Sequence, residues 1–373
     1  MANYFMALGG AQSVGCSCYY LQLDGADILL DAGARQQGGA TVAPDLLPLS
    51  LSPMLESLSQ VSAIYISHAH YDHVGALPQV AGMAPYANIL MTELTYVLSE
   101  YQLCDRQTQR RRDRRGLEGL QRRSILDRVS YVSYMQPRKF GSYQAEFFPA
   151  GHLPGAMMTL FRAGRQNILY TGDYSGSPTA LAGAYMLPED LRVDVLLLCG
   201  LHAKHGGKAG TEQDLLELAD SLLWRAARGE FLCCHLPQLS KGVEFLKLLT
   251  ERNIGHVPIF LDETVTRVVR KLEQLQVPLL TGDVRTGACG HGAGIMLSAQ
   301  AEASGTGSRV EVDFTLHDDF YETLAFVRRL NPRYAYIVHS PGFDTGTFET
   351  ELLRDGDCRT QLIWPEEGEL YKL

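Results

Sequence analysis

The chain has 373 residues, a formal net charge of −9 and a mass of 41.2 kDa, enough for two domains or for one domain with a large insertion. Apolar residues make up 46% and charged residues 20%, which excludes disordered and fibrous classes and fits an ordinary soluble globular protein. The acidic balance argues against nonspecific adhesion to nucleic acid through the whole surface, though it leaves room for a local basic track.

The N-terminus, Met1-Ala2-Asn3-Tyr4-Phe5-Met6, lacks a basic region followed by an apolar core, so no signal peptide is expected. No apolar run approaches the length needed to span a bilayer, and a cytoplasmic location is the default expectation. The eight cysteines are scattered and form no C-x-x-C pair, which in such a chain reads as reduced thiols.

In chain order, Phe5-Met6-Ala7-Leu8 reads as a strand running into a Gly-rich turn, Gly9 to Gly15. That turn has neither the dinucleotide fingerprint nor the P-loop spacing with its lysine. Cys18 to Leu23 and Ala26 to Leu30 flank Asp24-Gly25, a hairpin signal, and Asp31-Ala32-Gly33 closes the second strand. Residues 34–60 are irregular and read as a surface loop with a short helix. Val61 to Ile66 is β-branched and aromatic, a buried strand.

The stretch that follows, Ser67-His68-Ala69-His70-Tyr71-Asp72-His73-Val74-Gly75, carries the chemistry. Neutral imidazole and carboxylate are the donors that a borderline divalent cation such as zinc prefers. His68 and His70 are two apart, so in extended backbone they point the same way and can grip one ion. Asp72 and His73 lie where the chain bends and can aim at a second ion. A single histidine beside a strand is usually a hydrogen-bonded structural residue, but three with an aspartate directly after an apolar strand are hard to read that way.

His68-x-His70-x-Asp72-His73 resembles the signature of the metallo-β-lactamase superfamily of dinuclear metallohydrolases. The opening, a Gly-rich turn and then a hairpin ending in Asp-x-Gly, is similar to that of its β-CASP branch of nucleases. The resemblance implies that Asp31 supports the metal-binding loop from behind.

Ile89-Leu90-Met91 is a further short strand, and from Glu93 to Arg128 the pattern is helical. Within it lie Arg106, Arg110, Arg111, Arg112, Arg114, Arg115, Arg122 and Arg123. A basic helical run in an acidic protein is a candidate phosphate-contacting track, because Arg grips phosphate oxygens bidentately. A solvated helix face, or a contact to an acidic partner or subunit, would look the same.

Phe147-Phe148-Pro149-Ala150-Gly151-His152 is a strand ending in Gly-His, and His152 would complete the imidazole set of the first ion. Asn167 to Asp173 is a strand ending in Gly-Asp, and the two oxygens of Asp173 could bridge two cations. Asp194 to Leu198 is another buried strand. The β-CASP family carries an acidic residue at its end; this chain has Cys199, a departure that puts the family's usual proton relay in doubt. His202, Lys204, His205 and Lys208 lie just beyond.

From about 200 to 308 strands and helices alternate: a helix over Thr211 to Arg228, a strand at Phe231 to Cys234, a helix over Gly242 to Leu249, a strand at Pro258 to Asp262 and a helix over Glu263 to Leu275. This is the parallel-sheet pattern, and it resembles the start of the β-CASP cap, here abbreviated by the Gly-, Ala- and Ser-rich stretch Thr281 to Gly307. Lys241 falls where that family tends to carry an arginine, so it is a candidate substrate-phosphate contact, as are Arg110, Arg111, Arg112, Arg114 and Arg115. For Lys241 an ordinary exposed lysine is the stronger reading.

Val310 to Phe314 reads as a return to the core sheet. His317 stands where the family carries its proton donor, a role that suits imidazole. Pro332 to Ser340 is a strand ending in His339, which matches the family's last ligand, and Leu362 to Leu370 looks like a closing hairpin.

The resemblance thus implies an α/β fold: a metallo-β-lactamase αββα sandwich with an inserted, abbreviated β-CASP-like cap. The first part would run over 1–198, the cap over 199–308 and the second part over 309–373. One ion would take His68, His70 and His152, the other Asp72, His73 and His339, with Asp173 between them. Two divalent ions are expected, zinc or manganese. The implied activity is hydrolysis of RNA or single-stranded nucleic acid by an activated water, with Asp72 and His317 as catalytic residues. The substrate would be the principal partner, with a homodimer or larger complex left open and no membrane. A hydrolase of a small ester, thioester or lactone, or a metal-bound subunit without turnover, are the alternatives.

Overall fold

A computed structural model describes residues 2–373 apart from 101–102, 104–124, 126, 202–211, 237–238, 281–283, 287–291, 300–306, 313, 315–316, 342–344, 355 and 357. The basic run Arg106 to Arg123 and the residues His202 to Lys208 fall outside the described residues. The chain forms two compact units. One comprises Met1–Gly176, Ala184–Ala209 and His317–Leu373; the other comprises Ser177–Gly183 and Gly210–Leu316.

The first unit holds two seven-stranded sheets among the described residues. In the first sheet the order is Leu370–Lys372, Tyr4–Gly9, Cys18–Leu23, Ala26–Leu30, Ala63–Tyr65, Asn88–Met91 and Val129–Tyr131. Its early strands pair antiparallel, and its later ones parallel. The expected hairpin is present: Leu23 pairs with Ala26, and Asp24 and Gly25 have φ of 50° and 89°, the doubly left-handed turn that matches strand twist.

In the second sheet the order is Gln361–Ile363, Tyr334–Val338, Val195–Cys199, Gln166–Tyr170, Met157–Ala163, Tyr143–Pro149 and Arg138–Phe140. The two sheets share one apolar layer. Phe5, Tyr19, Leu21 and Tyr65 of the first sheet are buried with Phe147, Phe161, Tyr170 and Tyr336 of the second. Tyr65 meets Phe161 edge-on at 5.1 Å, and Phe5 meets Tyr336 at 5.2 Å. The alternate residues Met6, Leu8, Tyr20, Leu29 and Ile64 face a second layer with Leu49, Leu77 and Val80 from the helices Leu47–Leu51 and Leu77–Met83. Because both faces are covered, these strands read as continuous apolar runs.

The second unit is built on a five-stranded sheet in which all pairs are parallel: Val284–Thr286, Ile259–Leu261, Gly294–Ser298, Phe231–His235 and Ser308–Glu311. The helices Glu212–Ala227, Leu239–Arg252 and Glu263–Gln274 lie in the same stretch of chain. Two expectations are corrected here. Ser308–Glu311 pairs with Phe231–His235 in this sheet and does not return to the core. The C-terminal tail is no hairpin: Gln361–Ile363 runs parallel to Tyr334–Val338 in the second sheet, and Leu370–Lys372 runs antiparallel to Tyr4–Gly9 in the first. Pro365 offers no backbone donor for a ladder between the two strands, and Gly368 instead bonds the carbonyl of Ala7 at 2.8 Å. No helix among the described residues is long and apolar enough to cross a membrane.

Candidate metal centre

The candidate residues all follow the C-terminal ends of strands. Asp31 follows Ala26–Leu30, the 67–73 turn follows Ala63–Tyr65, His152 follows Tyr143–Pro149, Asp173 follows Gln166–Tyr170, and His339 follows Tyr334–Val338. At several of these points the chain turns through the left-handed region: φ is 57° at Asp31, 56° at His152, 54° at Gly172 and 53° at His339. For a non-glycine residue that conformation costs roughly 1–2 kcal/mol. It persists where surrounding bonds over-determine it, and it clusters at functional sites.

The turn itself is pinned from behind. Ser17 N donates to Asp72 O, Ala32 N to His73 O and Ala34 N to Tyr71 O, at 3.0, 2.9 and 3.0 Å. The backbones approach so closely that a Cβ at Gly33 would lie 1.6 Å from Asp72 O. This explains why Asp31-Ala32-Gly33 ends in glycine. A short helix, Tyr71–Val74, begins with His70 as its N-cap residue and carries Asp72 and His73, and the His73 ring lies 4.2 Å from that of His68.

Asp31 is fully buried and accepts four hydrogen bonds: from Ser67 N at 2.6 Å, Ser67 Oγ at 2.7 Å, His73 Nδ1 at 2.7 Å and Tyr170 OH at 2.5 Å. Ser17 Oγ lies 2.9 Å from His339 Nδ1, and Ser67 Oγ lies 3.0 Å from His68 Nδ1. In each of these three histidines one ring nitrogen is thereby engaged. The other, Nε2 of His68, His73 and His339, is buried without a hydrogen-bond partner. An imidazole tied at Nδ1 with a buried, bare Nε2 is the arrangement of a metal-ligating histidine.

The donor atoms converge on two sets, each within 4.8 Å: His68, His70, His152 and Asp173, and Asp72, His73 and His339. Asp173 stands between them. Its Oδ1 is 3.2 Å from His73 Nε2, and its Oδ2 is 3.6 Å from His68 Nε2 and 3.7 Å from His152 Nε2. His70 Nδ1 and His152 Nε2 are 3.2 Å apart, close to the separation of two nitrogens sharing one ion. All of these side chains are buried except Asp72, whose side chain is 27% exposed.

The charges fit the same reading. Burial pushes the His68 pKa well below its usual value, with the neighbouring His73 adding to the effect, so His68 is a neutral donor. Burial raises the Asp173 carboxyl, but His73, His339, His317 and His68 outweigh it and hold it well below the carboxylate range. Burial likewise lowers His73, yet Asp173 and Asp31 overcome it, and its pKa lies well above normal. A divalent cation would take the place of that proton. The donor set, its burial and its bare nitrogens fit divalent metal ions.

His317 sits beside this centre, its Nε2 3.7 Å from Asp173 Oδ2 and its ring 4.4 Å from that of His152. Two neighbours fix its backbone. Asp319 caps the helix Phe320–Leu330 in a capping box with Glu322. The buried Asp318 accepts from Gly176 N, three residues beyond Asp173. Cys199 donates from Sγ to Asp173 Oδ1 at 3.1 Å. Lys241 donates to the carbonyl of Phe314 at 2.8 Å within the second unit. Arg110, Arg111, Arg112, Arg114 and Arg115 lie outside the described residues. Ser17 and Tyr170 stand in no recognisable motif, because hydroxyls that orient ligands from neighbouring strands leave none.

Residues 12–222, more than half of the chain, match the family described as the metallo-beta-lactamase superfamily. The chain belongs to this superfamily. Endoribonuclease YSH1 of Gibberella zeae is 26% identical over 319 residues, covering 82% of this chain and 36% of that protein. Endoribonuclease ysh1 of Schizosaccharomyces pombe is 28% identical over 296 residues, covering 75% and 37%. The probable RNase MJ4 of Methanocaldococcus jannaschii is 26% identical over 269 residues, covering 70% and 60%. These names agree with the resemblance to the β-CASP nucleases. The chain spans little more than a third of the length of these endoribonucleases of Gibberella zeae and Schizosaccharomyces pombe. A crystal structure of a protein of unknown function from Enterococcus faecalis V583 covers all of both chains with a TM-score of 0.65 at 14% identity, a likeness of fold.

Proposed function

We propose that this superfamily member is a metal-dependent phosphodiesterase that hydrolyses RNA or single-stranded nucleic acid. The observation that carries the reading is the convergence of the bare, buried Nε2 atoms of His68 and His73 on the Asp173 carboxylate, which His317 also approaches, with the bare Nε2 of His339 3.6 Å from Asp72 Oδ2 beside them. His68, His70 and His152 would hold one cation and Asp72, His73 and His339 the other, with Asp173 shared. Zinc suits the imidazole-rich set, and manganese the carboxylates. When bound, such ions supply an acidified water and neutralise the phosphoryl oxygens.

The chain's own residues do the rest. Asp31 and Ser17 orient the imidazoles by holding Nδ1. Asp72, the most exposed donor, accepts a hydrogen bond from the attacking water. His317 donates its proton to the departing ribose oxygen as the phosphorus–oxygen bond breaks. The tie between Asp318 and Gly176 fixes the segment that carries this donor to the segment that carries Asp173.

The test is incubation of the metal-loaded protein with end-labelled RNA and DNA, single- and double-stranded, beside a thioester and a lactone. Cleavage of the single strands, lost in His70→Ala, is expected. Turnover of the small esters with intact nucleic acid would overturn the substrate assignment.

A further inference from the structure

Cys199 is a buried group that the reaction above does not use. It ends the strand Val195–Cys199 and is only 5% exposed. Its backbone N–H donates to Thr171 Oγ1 at 3.1 Å, which fixes where the side chain starts. Its Sγ lies 3.1 Å from Asp173 Oδ1, while His317 Nε2 lies 3.7 Å from Asp173 Oδ2. The donor atoms of Asp173, Cys199 and His317 all fall within 4.8 Å of one another. Donors about 2.0–2.3 Å from one zinc lie roughly 3.3–3.8 Å apart, so small side-chain adjustments would gather all three on a single ion.

We propose that Asp173, Cys199 and His317 form a third cation position beside the dinuclear centre, selective for thiophilic ions such as zinc or cadmium, and that its occupation stops turnover by engaging His317. This rests on the nuclease reading for its effect on turnover, and on the coordinates alone for binding. Thiolate is a soft ligand and imidazole a borderline one, so the trio discriminates against manganese and magnesium. A third cation close to two others is repelled by them, and the thiolate contributes a negative charge that offsets this. On binding, the S–H bond breaks, sulfur bonds the metal, and the proton leaves to solvent. A bound cation favours the thiolate over the thiol. Imidazole nitrogen that ligates a cation no longer carries a proton for the leaving oxygen.

The experiment starts from protein loaded with two equivalents of manganese and titrates in cadmium, following the near-ultraviolet thiolate-to-cadmium absorption, bound metal per chain and single-turnover cleavage of end-labelled RNA. Cys199→Ser and Cys199→Ala run beside the parent, with circular dichroism confirming that each is folded. In the parent, an absorption step saturating at one equivalent, three metals per chain and at least a ~10-fold fall in cleavage are expected, on the scale of a perturbed ligand shell. The Cys199-dependent step should be missing in both variants, and cadmium should reduce their cleavage much less. An absorption step of equal size in the variants, or none in the parent, overturns the site. Binding with unchanged cleavage overturns the inhibitory role. If the manganese protein cleaves no RNA before cadmium is added, the nuclease reading fails, whereas the absorption step still decides the cation position.

Discussion

Asp262 and Asp31 each follow the end of a strand in this molecule, and they do different work. Asp262 follows Ile259–Leu261 in the second unit. It accepts from Val265 N at 2.7 Å, Ser298 Oγ at 2.7 Å and Ala299 N at 2.8 Å, and so caps the helix Glu263–Gln274 and joins two strand ends. Asp31 follows Ala26–Leu30 in the first unit and is just as well satisfied, but one of its donors is His73 Nδ1. That bond leaves His73 Nε2 bare beside Asp173. A strand-end aspartate is therefore no sign of chemistry in itself. What marks the first unit is that a satisfied carboxylate orients an imidazole whose far side has no hydrogen-bond partner. Among the described residues, every cluster able to hold a metal belongs to that unit.

Substitutions can sharpen this contrast. The largest effect belongs to the donors: His70→Ala or Asp72→Ala should abolish cleavage of end-labelled RNA while the circular dichroism spectrum stays native, and turnover equal to the parent would break the account. His317→Ala should leave metal content intact and slow single-turnover cleavage by ~10²–10⁴-fold, the usual worth of a positioned proton donor. Asp31→Asn keeps the size of the side chain but weakens its hold on His73. Chelator competition should then show a ~10–100-fold loss of metal affinity. Asp262→Ala should leave that affinity at the parent value and lower unfolding stability in urea by about 1–3 kcal/mol. If Asp262→Ala loses metal as Asp31→Asn does, the distinction between the two carboxylates is wrong.

A smaller effect is read in pH. Glu244, buried in Leu239–Arg252, accepts from Thr179 Oγ1, Leu181 N and Ala182 N, yet burial dominates and raises its pKa from 4.5 to about 7. The folded chain therefore binds this proton more tightly than the unfolded chain. Its contribution to stability is complete below 4.5 and is lost as pH rises through about 7. Glu244→Gln should flatten that limb of the stability–pH curve, as measured by urea melts across the interval.

The donors were legible in the sequence because each sits at a strand end, where an apolar run stops at a polar residue. His68, His70, Asp72 and His73 share one turn, and His152, Asp173 and His339 each close a run of their own. The hydroxyls were not legible, since Ser17 and Tyr170 reach His339 and Asp31 across strands far apart in sequence. The tail misled for a related reason. Gln361–Ile363 and Leu370–Lys372 have hairpin spacing, but each finds its partner in a different sheet, and local sequence does not encode that choice. Cys199 was legible as a departure from the family pattern, but its 3.1 Å approach to Asp173 was not.

The measurement that bears most directly on the convergence of these strand ends is anomalous diffraction at the zinc absorption edge from crystals of the zinc-loaded protein. The account predicts one peak enclosed by His68, His70 and His152 and a second by Asp72, His73 and His339, with Asp173 touching both. A zinc-loaded crystal with no anomalous density among these residues would contradict it.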